Sequence, residues 1–484
     1  MQRHPCRQNV WGLTVPRTLA GSGGIGTTGL VPRAPQRADS LSDDVYQFPW
    51  NRVERPTFNS GTPPSGWFPP NRYSVTWGVV SLVTDTGPDG VTALTSATEL
   101  RVCQNQGRWI GTLDDGTVVL AWVYTLTGEL VLVESSGGAW TRVDLVALGA
   151  VTATGFVDVV SVATQGNRVA IVAPVRARSG GTALLVAFEL ERAGSTWTLV
   201  AAPAINTAVS DPLLPVIAYL PGGNPVVVAV TGAADVSLWD VQAGTTVTVN
   251  SGGNPCVVAG VAAGDAGVYV TWSQTVGSKG TSEAGSVYGR VYAYTDSTAT
   301  AVGAASTSAT ALAGDDLGDV PAWDPAVDVY PDGTACLVWH QKVGKGPNDP
   351  TEIRVARLTA AATAAEAADN EVVSASSGRP RHFYPTPSVD GRFTTVVWEG
   401  RINARGAPAD VLGCLGVTSR SGPPLDPAGL VEIVRSSGEL EELIYPTSVF
   451  ASLSRLHLAW INVEYKKNGD VLSVAIEHLS ARLL

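Results

Sequence analysis

LDDGTVVLAW, residues 113–122, is the stretch on which the fold turns. An Asp-Gly pair opens it, an unbroken apolar run follows, and a tryptophan closes it. Asp-Gly supplies the positive-φ backbone of a tight hairpin turn, and a Val-rich run fits a pleated, buried surface. The phrase returns as YPDGTACLVW at 330–339 and VDGRFTTVVW at 389–398. DAGVYVTW, ending at Trp272, and SLSRLHLAW, ending at Trp460, are looser copies. TQGNRVAIVAPV around Val172 and LPGGNPVVVAV around Ala229 keep the turn and the strand but not the tryptophan.

These seven copies have anchors at 122, 172, 229, 272, 339, 398 and 460, between 43 and 67 residues apart. That spacing holds one four-stranded propeller blade with variable loops. A first strand, often with Pro near its start (LLPVIAYL, NPCVVAGVAA, YPTPSV, YPTSVFAS), precedes each turn, and third and fourth strands follow, as in GELVLVE then AWTRVDLV. Pro opening a strand costs no ladder donor. The pattern predicts an all-β chain: a single seven-bladed β-propeller of four-stranded blades, preceded by an extended non-globular N-terminal arm. Trp122, Trp272, Trp339, Trp398 and Trp460 are expected to fill the gaps between blades, because each ends an apolar strand. The last unit runs out of chain after three strands. A strand from 73–102 is therefore expected to complete it and close the ring of residues 73–484, removing its open sheet edges.

Composition agrees with many short strands and tight turns: 52 Gly, 31 Pro and only 15% charged residues. Residues 1–72 differ in kind. They show no hydrophobic period, and YQFPWNRVERPTFNSGTPPSGWFPPNRY mixes Pro, Gly and aromatics in a way that suits neither helix nor sheet. Up to Ala38 the arm carries Arg3, Arg7, Arg17, Arg33 and Arg37 and no acid, so subtracting those five charges from the net −11 leaves about −16 on the rest. A segment without a core gains order only against a partner. Phe48, Trp50, Trp67 and Phe68 are its expected anchors, with the five arginines, on neighbouring chains. The acidic body argues against direct nucleic-acid binding. Neither a secretory leader nor a membrane span is predicted.

Motifs for chemistry are sparse. GSGGIG (21–26) matches the dinucleotide glycine pattern but has neither a strand before it nor a helix after. Cys6, Cys103, Cys256, Cys336 and Cys414 lack metal spacing and read as buried thiols. His4, His340, His382, His457 and His478 form no zinc motif, and His457 in LHLAW reads as a strand residue. The acidic turns DTGPDG and GPNDP lack the ligand spacing of a calcium loop. No catalytic, metal or cofactor residue is therefore expected. GSTWT (194–198) and GGAWT (137–141) are similar to the Asp-box hairpins of sialidase-like propellers, but their Asp is out of register.

An acidic propeller behind a basic, proline-aromatic arm resembles the propeller-containing structural components of tailed bacteriophage particles, such as the nozzle or another tail-end ring. That architectural resemblance implies a non-enzymatic virion protein, made in the bacterial host cytoplasm and held by its arm in a homo-oligomeric ring with other virion proteins. A receptor- or carbohydrate-binding propeller is the alternative, and would repeat exposed aromatic loops from blade to blade. A sialidase-like glycoside-processing enzyme is the third, and would focus ionisable groups on the central channel, with several arginines and a Tyr/Glu pair converging.

Overall fold

The computed structural model describes residues 75–483 apart from 104–107, 137, 153–154, 178–182, 209–212, 232–234, 251–253, 276–284, 295–301, 306, 308, 318, 345–348, 375–378, 403–407, 419–422, 426–429, 435–439 and 452–454. The expected arm, residues 1–72, with Arg3, Arg7, Arg17, Arg33, Arg37, Phe48, Trp50, Trp67 and Phe68, lies outside the described residues.

The chain is all-β and folds into antiparallel sheets that follow one another in sequence. Sheet 1 runs from Leu100 to Val143, sheet 2 from Gly155 to Ala208 and sheet 3 from Leu213 to Asn250. Sheet 4 runs from Cys256 to Gly314 and sheet 5 from Ala322 to Val372. Where the repeat predicts seven separate blades, the hydrogen bonding gives six sheets, because the last has nine strands. Its first half spans Arg381–Val434 and its second half Glu441–Leu483, and a single parallel pair, Ala409 with Glu442, joins them. Val75–Trp77 and Ser81–Thr84 both pair with Val471–Leu483 at the outer side of the second half.

The Asp-Gly turns have a common local cause. Gly116, Gly333 and Gly391 adopt φ of 83°, 84° and 83°, which a side chain would resist. The preceding Asp115, Asp332 and Asp390 accept from the backbone N–H of Thr117, Thr334 and Arg392 at 2.9, 2.9 and 3.0 Å. Each turn is thereby fixed before the apolar strand begins.

Apolar clusters fill every seam between consecutive sheets. Trp272 packs in the cluster shared by sheets 3 and 4, Trp339 in that of sheets 4 and 5, and Trp398 in that of sheet 5 and the first half of sheet 6. Trp460 lies between the halves of sheet 6, and Trp122 between sheet 1 and the second half of sheet 6. Further clusters join sheets 1 and 2 and sheets 2 and 3, so packing runs from the last sheet back to the first. These five tryptophans are at most 2% exposed, and each is the large side chain that its strand turns toward the sheet before it.

Two details differ from the repeat pattern. Val172 is buried but packs toward sheet 3, the opposite sense to the tryptophans. Its turn is two residues, between paired Gln165 and Arg168, whereas that of sheet 1 spans five, between paired Thr112 and Val118. Counting from the turn therefore does not carry over, and an odd offset exchanges the faces of a strand. Three of the four prolines, too, sit inside the first strands rather than at their openings, Pro215 within Leu213–Tyr219, Pro385 within Arg381–Val389 and Pro446 within Glu441–Ala451, while Pro255 does open Cys256–Gly264.

Trp398→Ala should cost about 3–5 kcal/mol, because the seam around it cannot close fully on the space left. Urea unfolding at pH 7 measures it, and Trp398→Phe should recover part of the loss.

Candidate active site

Pro215, Pro325, Pro385 and Pro446 each mark a bulge. The residue before each takes a positive φ: Leu214 43°, Asp324 50°, Tyr384 54° and Tyr445 53°. The ladder slips at the same places, between Leu213 and Val216, Trp323 and Ala326, Phe383 and Thr386, and Ile444 and Thr447. A bulge can accept a proline, since a ladder bond is already missing there, and it re-aims one side chain. A non-glycine residue in the left-handed region costs on the order of 1–3 kcal/mol, and such strain gathers at functional sites. In sheet 3 the re-aimed residue is Leu214, whereas in sheet 5 and the halves of sheet 6 it is an aspartate and two tyrosines.

The second strands bring the remaining groups. Side chains alternate along a strand, so the residue after a seam tryptophan points away from that seam. After Trp398 comes Glu399, wholly buried, and after Trp339 comes His340, also wholly buried. Glu399 forms an ion pair with the Arg401 Nε, and Arg401 Nη1 lies 3.4 Å from Glu442 Oε1. Glu442 accepts from the Tyr465 hydroxyl at 3.1 Å, and Glu399 Oε2 from the Tyr445 backbone N–H at 3.4 Å. The Tyr384 and Tyr445 rings lie 5.5 Å apart, and Phe383 is 6.0 Å from Tyr384. On the sheet 5 side His340 Nδ1 is 3.2 Å from Asp324 Oδ2, under the Trp323 ring at 4.0 Å.

Burial dominates the electrostatics. It pushes the Asp324 carboxyl up to about 7 and His340 well below the usual imidazole value, so their contact joins a neutral ring to a carboxyl poised to hold its proton near neutral pH. Burial also raises Glu399, against the pull of Arg401. The Tyr384 hydroxyl is raised by burial and then by Asp324, Glu399 and Tyr445, which places those groups around one ring. Tyr445 is raised by burial and by Glu399, while Arg401 and Arg101 oppose the rise. Asp324, Glu399, Arg401 and Glu442 therefore form one cluster with the two bulge tyrosines, beside half-buried Trp323, Phe383 and Tyr465.

A cavity of about 370 Å³ lies at the other ends of the first strands, lined by Thr112, Thr164, Tyr219, Ala263, Asp328 and Phe450 among others. It marks the central channel, since first strands from sheets 1 to 5 and from the second half of sheet 6 meet around it. Arg108 crosses there to pair with Asp328 and donates to the Pro387 carbonyl at 3.0 Å. Its charges neutralise each other, and the perturbed carboxyls lie elsewhere, at the end where first strands begin and second strands finish. The chemistry is assigned to that end.

None of these groups stands among the sequence-predicted site residues. A signal was present: Asp-Pro, Tyr-Pro and Tyr-Pro stand 14 or 15 positions before Trp339, Trp398 and Trp460. The other histidines are structural in surroundings. His382 accepts from Trp398 Nε1 at 2.9 Å, and His457 Nδ1 lies 3.1 Å from His478 Nε2 on the neighbouring strand. Cys103, Cys256, Cys336 and Cys414 are buried free thiols. Among the described residues no group of three or more His, Cys, Asp or Glu has metal-binding geometry.

No family model matches the chain, and no curated protein matches it. Among solved structures it is similar to an ulvan lyase of polysaccharide lyase family PL25, at 11% identity and a TM-score of 0.48, covering 79% of this chain and 93% of that one. It is similar to a GH93 α-L-arabinofuranosidase of Fusarium graminearum in complex with arabinobiose, at 10% identity and 0.41, covering 83% and 97%. An α-L-arabinanase of Penicillium chrysogenum, also complexed with arabinobiose, gives 12% identity and 0.40, covering 83% and 98%. The readings of a non-enzymatic chain and of a bacteriophage structural protein are corrected here. The similar proteins are enzymes, and nothing links the chain to a phage particle.

Arg401→Met would leave Glu399 and Glu442 buried without their cation, which should destabilise the fold by about 3–5 kcal/mol at pH 7. Unfolding followed as a function of pH should show the penalty shrinking toward acid, where Glu399, already raised by burial, takes up a proton.

Proposed function

We propose that this chain is a glycoside-processing enzyme on a seven-bladed propeller, with Asp324 and Glu399 as its working carboxyls. Counting the halves of sheet 6 as separate blades gives seven, and the apolar seams running from sheet 6 back to sheet 1 support that count. The observation that carries the function is the pair of buried carboxyls with different environments at one end of the channel. Asp324 is raised to about 7 by burial, while Glu399 is held by Arg401. Two carboxyls whose surroundings separate their roles are what glycosidic bond cleavage needs.

In this mechanism the Asp324 carboxyl gives its proton to the glycosidic oxygen as the carbon–oxygen bond breaks, and water then adds to the sugar carbon and returns a proton to Asp324. Glu399 faces the positive charge that develops on the sugar, and Arg401 holds its carboxyl in place. Tyr384 and Tyr445 keep their protons, because burial and nearby carboxyls raise both. They serve as hydrogen-bond donors and stacking faces rather than as nucleophiles. Trp323, Phe383 and Tyr465 complete the apolar walls, and aromatic faces suit the C–H faces of sugars. Those same aromatics support a second reading, in which the end of the channel binds a glycan without cleaving it.

Hydrolysis of an oligosaccharide panel separates the two. Glu399→Gln and Asp324→Asn should each lower kcat by on the order of 100-fold or more while leaving sugar binding in place. Since Asp324 must be protonated to act, turnover should fall as pH rises through about 7. Binding without turnover in the unaltered protein would favour the second reading, and turnover unchanged in both variants would dismiss the carboxyl assignment.

A further inference from the structure

We propose that this site selects neutral glycans and rejects sugars that carry a carboxylate, with Glu442 as the residue that enforces the choice. The inference rests on the glycoside-processing reading and adds the substrate class to it. An enzyme that takes a uronic or sialic acid needs a cation free to grip the sugar carboxylate, most effectively an arginine fork. Here Arg401, the guanidinium at the centre of the cluster, is held on both sides by Glu399 and Glu442. Its side chain is 11% exposed, and those of its partners are 1% and 8% exposed. Arg379, on the same half-sheet, is held by Asp410, whose side chain is wholly buried.

Among the described residues three other cations stand near. Lys342 lies over the Trp323 ring at 6.0 Å and is itself buried, Arg101 is exposed to water that screens it, and Arg381 is half-buried where it pairs with Arg401 across the ladder. Arg401 is the guanidinium set between the two glutamates.

The acceptors point the same way. Glu399 and Glu442 both bear on Tyr445, and Glu442 also accepts from Tyr465, so the rings that would stack a sugar are backed by carboxylates. Vicinal hydroxyls can donate to such carboxylates. A sugar carboxylate would face them as a like charge in a low-dielectric setting, where repulsion is strong.

Matched ligands test the proposal by calorimetry on the full chain: lactose against sialyllactose, and galacto-oligosaccharides against galacturonate oligosaccharides of equal length. The neutral partner should bind at least about tenfold more tightly, and Glu442→Gln should narrow that ratio. An acidic partner that binds as well or better would overturn the proposal while leaving the glycoside reading intact. An unchanged ratio in Glu442→Gln would overturn the role of that residue. If the unaltered protein neither binds nor cleaves sugars of either kind, the glycoside reading fails and takes this one with it.

Discussion

The tryptophan near the end of five of the seven second strands is the constraint from which the rest follows. Twisted sheets packed face to face leave a wedge between them, and a side chain of this size fills it. Because faces alternate along a strand, fixing Trp398 in one seam fixes Glu399 on the other side, and fixing Trp339 does the same for His340. A residue chosen for packing thus aims its neighbour at the next sheet. There Glu399 accepts from the backbone of Tyr445 and pairs with Arg401 on its own strand, which in turn reaches Glu442, and His340 meets Asp324 on the paired strand.

The bulges are the second half of that geometry. A first strand that stayed regular would keep residue 324, 384 or 445 in the alternation of its ladder. The slip at each proline breaks the alternation once and carries Asp324, Tyr384 and Tyr445 in a left-handed backbone conformation. Such backbone strain is tolerated where the seams on both sides hold the strand, and it costs stability that the packed tryptophans supply. Stability and the candidate site are therefore made from adjacent residues of the same strands.

The sequence made much of this legible. The Asp-Gly-to-Trp phrase and its two looser copies located second strands correctly at five places because turn, period and large residue are all local signals. Length alone pointed to a strand borrowed from upstream, and the segments at 75–84 do pair with the last strand. What the phrase could not carry was register: a turn of two residues instead of five left Val172 on the other face. The site was harder still. Asp324, Glu399 and Glu442 lie far apart in the chain, each looks like an ordinary strand charge, and only the meeting of sheet 5 with the two halves of sheet 6 makes them one environment. The prolines were visible but read as strand openings, and so their bulges, the clearest local pointer to the site, went unused.

The most direct measurement is a crystal structure of the Glu399→Gln variant soaked with a neutral oligosaccharide. The account predicts sugar at the end of the channel where first strands begin, stacked on Tyr384 or Tyr445, with its glycosidic oxygen within hydrogen-bond reach of the Asp324 carboxyl. Sugar seated on the outer strands or in the Arg108–Asp328 cavity, with the Asp324 end left open, would contradict it.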